Sequence, residues 1–96
     1  MVKDKRYITV GHLITDGRIK SFREIFDVLP KSVLAADLWM NNAHFEKLRN
    51  NISLFRLRDL FRIADLLEVD EKEVLNLIYN QHVADKEGKK TKTRSS

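Results

Sequence analysis

The stretch K-S-V-L-A-A-D-L-W-M-N-N-A-H-F-E-K-L-R-N-N, residues 31–51, admits few folds. Leu34, Ala35 and Leu38 are spaced one, three and four residues apart, so they share one face of a short helix. The small Ala35 lets a second helix approach closely. Asn41 and Asn42 supply a turn and a helix N-cap, because their short side chains accept free backbone N–H groups. Phe45 and Leu48, three apart, anchor the second helix inward. Helical geometry then turns Ala43, Glu46, Lys47 and Asn50 to the opposite side. The stretch is a pair of short helices joined by a tight bend, the second with a polar outer face.

The flanking sequence supports an all-helical chain. Only three glycines and one proline occur in 96 residues, with a third of the residues charged. Residues 7–14 are expected to form a short helix capped by Thr9 and stopped by Gly17. Ser21-Phe22-Arg23-Glu24 is a capping box, followed by an apolar stripe of Phe22, Ile25, Phe26 and Leu29 that Pro30 terminates. After the turn-rich loop Asn50-Asn51-Ile52-Ser53, the residues Leu57, Leu60, Phe61, Ala64 and Leu67 form the clearest amphipathic pattern in the chain. Asp70 caps a last helix with Glu71 and Glu73 in its first turn. That helix is apolar around more than one face. Its surplus is expected to serve either as core or, through Val74, Leu77 and Ile78, as a homodimer contact. The chain divides into an N-terminal arm with a short helix (1–18), a helical domain (19–84) and a basic tail without apolar residues (85–96), expected to be disordered.

Charge is unevenly placed. Residues 1–30, 31–58, 59–84 and 85–96 carry balances of +2, +3, −4 and +3 within the total of +4. The paired helices lie in a positive segment and the acidic segment follows, a polarity suited to meeting a polyanion with one side. Ordinary solvated charge produces the same balance.

L-A-A-D-L-W-M-N, then F-x-x-L, then L-R-D-L-F-R-I-A-D-L-L-E-V-D-E-K-E-V-L resembles the DNA-binding domain of lambda-repressor-like helix-turn-helix regulators. The xenobiotic-response-element family belongs to the same superfamily. The likeness covers roughly residues 20–80 and runs without a gap from position 31 to 74. It implies a compact all-α domain of four to five helices containing a helix-turn-helix, and sequence-specific binding of double-stranded DNA by a transcriptional regulator. Trp39 stands where the family usually has glycine. A positive φ there would strain it by about 1–3 kcal/mol, so the bend is expected to have shifted or to be made differently.

The resemblance places the base-reading positions at Asn42, Ala43, Glu46 and Lys47. The chemistry suits them: Asn pairs with adenine, Lys donates to guanine, Glu accepts from cytosine, and Ala touches a thymine methyl. His44 points more to the side and is as readily a packing residue as a contact. Phosphate contacts are expected from Lys31, Asn50, Arg56 and Arg58. Arg56 occupies a cap position where Ser, Thr or Asp is the usual choice, and cations are disfavoured at that positive helix end. A nearby phosphate relieves the conflict, although Asp59 also compensates in part.

Catalysis is not expected. No cysteine, glycine-rich phosphate loop or Gly-x-Ser-x-Gly turn is present, and His12, His44 and His82 are isolated, so neither a metal nor a cofactor is expected. No apolar run approaches membrane-spanning length and no signal peptide is visible, which suggests a cytoplasmic protein, nucleoid-associated when bound to DNA. The alternative is a protein-interaction module such as the antitoxin of a toxin–antitoxin pair, favoured by Glu46 on the reading face and Trp39 in the bend.

Overall fold

The computed structural model describes residues 3–95, with side chains described as far as Glu87. Five α-helices appear in chain order: α1 (Arg6–Thr15), α2 (Lys31–Asp37), α3 (Asn42–Asn50), α4 (Leu57–Leu67) and α5 (Glu71–Ser95). Short 3-10 turns, Phe22–Asp27 and Ile52–Leu54, precede α2 and α4. The described residues contain no strand, so the fold is all-α.

α1 belongs to the body of the domain. Tyr7, Val10 and Ile14 are buried, and the boundary expected near residue 18 does not separate an arm from a core. The helix starts earlier than its Thr9 suggested. Asp4 accepts the Arg6 backbone N–H at 2.9 Å and Thr9 lies exposed within the helix, because apolar burial at positions 7, 10 and 14 carries the periodicity one turn upstream. Gly17, at φ +77°, closes it as expected. Arg18 N–H bonds to Leu13 carbonyl and Gly17 N–H to Ile14 carbonyl, the paired bonds of a Schellman ending. Gly11 has a different task. A Cβ built there would lie 2.3 Å from the Leu67 carbonyl oxygen, so glycine is what lets α1 and α4 touch backbone to backbone.

The segment after Ser21 forms a 3-10 turn instead of an α-helix. Phe22 and Ile25 are buried three residues apart with Val28 packed behind them, which matches three residues per turn. Glu24 Oε1 accepts from Ser21 N–H at 2.9 Å, Ser21 hydroxyl at 3.1 Å and Lys20 N–H at 2.9 Å, so the carboxylate fixes the entry to the turn. Phe22, Phe26, Phe45 and Phe55 then meet edge to face in a closed cycle, with centroids 5.3 to 6.1 Å apart. That cycle joins the 3-10 turn, α3 and the α4 approach around one centre.

Two apolar expectations shift. In α4 the buried stripe is Leu60, Ile63, Ala64 and Leu67, whereas Leu57 is 60% and Phe61 37% exposed. Both registers satisfy the i, i+3, i+4 rule, and packing of α1 and α5 against α4 selects the one containing Ile63. In α5, Val74 and Leu77 are buried inside this chain and Ile78 packs against the same core. Val74 and Leu77 are therefore core residues of this chain and not free for the expected homodimer contact, and Ile78 is partly buried beside them. Asp70 caps α5 as expected, accepting Lys72 N–H at 2.9 Å. The basic stretch from residue 85, expected to be disordered, continues α5 to Ser95. Lys and Glu dominate its first residues and no proline interrupts it, so backbone propensity allows the helix to run on. The side chains of 88–96 lie outside the described ones.

Candidate nucleic-acid interface

The bend between α2 and α3 has not moved. Trp39 adopts φ +58°. Its N–H bonds to Ala36 carbonyl at 3.0 Å and Met40 N–H to Ala35 carbonyl at 2.9 Å, the same paired ending that Gly17 gives α1. The expectation of a shifted or rebuilt bend is therefore wrong; tryptophan simply occupies the left-handed position. What holds it there is visible. The Arg62 guanidinium sits 4.7 Å above the indole centroid, and Arg62 Nε donates to Asp37 carbonyl at 2.8 Å, satisfying a free carbonyl at the end of α2. The buried Tyr7 hydroxyl donates to the Asp37 carboxylate at 2.6 Å, so α1 fixes the same helix end.

α3 begins at a working cap: Asn41 Oδ1 accepts His44 N–H at 2.7 Å. Phe45 and Leu48 are buried, which turns the rest of the helix outward. Asn42 is its first residue and Asn50 its last; both are exposed, as are Ala43 and Lys47. Lys47 makes no ion pair among the described residues. His44 is exposed and packs into no core.

Glu46 is the exception on this face. Both its carboxylate oxygens face Arg49, with Nη2 bonded to Oε1 and Nε 3.4 Å from Oε2, and Lys31 Nζ lies 4.0 Å from Oε2. The Arg49 hydrogen bond, aided by the positive charges of Arg49 and Lys31, holds this carboxyl below its ordinary 4.5. Lys31 and Glu46 are thus brought together, one assigned to phosphate and the other to base reading. The carboxylate keeps lone pairs that could accept from a base, but these contacts draw it towards Arg49 and Lys31.

Arg56 stands at the N-cap of α4 without a side-chain capping bond, and Arg58 follows two residues later. Both are exposed and neither forms an ion pair among the described residues. The start of α4 thus offers two cations and uncapped N–H groups on one surface, with Asp59 in the first turn the nearest acid in sequence. Arg49 and Arg62 were not singled out from sequence. For Arg49 the i, i+3 spacing from Glu46 was the available signal; for Arg62, 25 residues from its acceptor, there was none.

His12, His44 and His82 are exposed on α1, α3 and α5, and no group of three or more His, Asp or Glu able to hold a metal occurs among the described residues. Nor, among them, is any helix long and apolar enough to cross a membrane. Comparisons with protein-family models, with curated proteins and with solved structures return no match.

Proposed function

We propose that this chain is a sequence-specific double-stranded DNA-binding protein of the lambda-repressor-like helix-turn-helix kind, a transcriptional regulator that reads the major groove with α3. One observation carries the reading. α3 follows α2 through a tight left-handed bend, buries Phe45 and Leu48, and turns Ala43, Lys47 and Asn50 outward beside Asn42. A short helix with an apolar inner side and a polar outer side is what a major groove accepts. Lys31, Arg56 and Arg58, exposed at the starts of α2 and α4, supply cations for the phosphates on either side. Lys47 is the principal base reader, with Asn42 and Ala43 beside it.

Selection from a randomised duplex pool at about 150 mM salt, run with wild type and Lys47→Ala in parallel, tests this. The expected outcome is an enriched motif for wild type that changes at a defined position in the variant. Enrichment of nothing, with binding abolished by modest added salt, leaves only nonspecific attraction to phosphate and removes the proposal.

A second reading, a protein-interaction module such as an antitoxin, is favoured by Trp39, which is 84% exposed at the bend. Recovery of a stoichiometric partner from the native host, lost on Trp39→Gly, would support it.

A further inference from the structure

Glu46 poses a problem for the proposed DNA-reading face. It projects on the same outward arc of α3 as Ala43 and Asn50, one turn from each. A free carboxylate there would meet a polyanion, and like charges brought together across an interface are strongly unfavourable. The structure holds the answer in its neighbours. Arg49 lies one turn further along α3, with its side chain only 17% exposed, so packing fixes where its guanidinium goes. It presents two nitrogens to the two oxygens of Glu46, the fork geometry that arginine has and lysine lacks. Lys31, at the start of α2, approaches the same carboxylate.

We infer that Arg49 is a positioning residue for DNA binding: it holds the Glu46 carboxylate to the flank of α3 and neutralises it, leaving Lys47 and Asn42 to face the bases. This rests on the DNA-binding reading above. Glu46 is then not a reader of cytosine, and Arg49 is not a phosphate contact. Lys31, Glu46 and Arg49 together present a single net positive charge at the junction of the two helices, which keeps that junction compatible with a phosphate strand.

The test uses the full chain and a labelled duplex carrying the motif enriched by wild type, with affinities for Arg49→Met, Glu46→Ala and the double variant. Methionine keeps an unbranched stem in the packed site while removing the charge. Arg49→Met is expected to bind about tenfold more weakly. Glu46→Ala is expected to stay within about threefold of wild type with the same preferred sequence, and the double variant to recover to within about threefold, because the carboxylate that Arg49 restrains is gone. A double variant as weak as Arg49→Met would show that Arg49 contacts DNA directly and overturn the inference. So would an unweakened Arg49→Met, or a changed preferred sequence in Glu46→Ala. Thermal unfolding is measured for each variant. Should Arg49→Met not fold, Arg49→Lys, which keeps the charge and loses the fork, replaces it and is expected to bind more weakly with recovery on adding Glu46→Ala. A wild type that enriches no motif fails the underlying reading instead, a result distinct from any of these.

Discussion

Trp39 shows how a residue can occupy a conformation that it disfavours. The left-handed backbone costs a non-glycine residue about 1–2 kcal/mol. Glycine would avoid that, at a penalty of about 0.5–1 kcal/mol in the more flexible unfolded chain. The Arg62 guanidinium over the indole returns about 0.5–1 kcal/mol at an exposed site. These magnitudes nearly cancel. Trp39→Gly is therefore expected to change stability by less than about 0.5 kcal/mol in wild type, but to stabilise an Arg62→Ala background by about 0.5–1 kcal/mol. Urea unfolding of the four variants checks it; equal effects in both backgrounds would remove Arg62 as the support of the bend. A tryptophan in the bend between two short helices made this position conspicuous in the chain, whereas the distant arginine that makes it tolerable left no local trace.

Among elements, the contact between α1 and α4 is the least forgiving. Gly11→Ala places a methyl group 2.3 Å from a backbone oxygen, and backbone cannot rotate aside as a side chain can, so the two helices must separate. A loss of about 1–3 kcal/mol is expected, measured as a lowered urea midpoint; an unchanged midpoint would mean that α1 docks differently. Nothing in the spacing of Gly11 announced this, since it depends on Leu67, 56 positions away. The same distinction divides what was legible from what was not. Asn41 as cap, Phe45 and Leu48 as anchors, Gly17 as a helix stop and the Ser21–Glu24 box rest on neighbours in sequence, and all are present. The burial of Ile63 in place of Phe61, the absorption of Val74 and Leu77 into the chain's own core, and the approach of Lys31 to Glu46 depend on which helices come together. Periodicity identifies a stripe but cannot choose between two overlapping registers.

At the scale of the whole molecule, ionisation bounds stability on both sides. Arg6 hydrogen bonds hold Asp4 down to about 2, the Lys20 N–H lowers Glu24, Arg49 lowers Glu46 and Lys3 lowers Glu68. Each is depressed on folding, so its contribution is complete above the ordinary carboxylate range and is lost as pH falls through and below that range. Tyr7 runs the other way. Burial first, then its bond to Asp37, raises its pKa well above the ordinary 10.0, so its contribution is complete below pH 10 and lost as pH rises beyond it. The urea midpoint is expected to be level between about pH 6 and 9, to decline on both sides, and to lose part of its alkaline decline in Tyr7→Phe. An alkaline limb identical in that variant would assign the decline to other groups.

The cycle of four phenylalanines carries a consequence for how such a protein changes over generations. Phe45 is the only member supplied by α3, and it points away from Ala43, Lys47 and Asn50. The residues that hold the helix and those that face outward are therefore separate sets on one short segment. Outward positions are free to drift, one codon at a time, while the scaffold that presents them is inherited unaltered. A lineage built on this arrangement can alter its outward face without relearning how to fold.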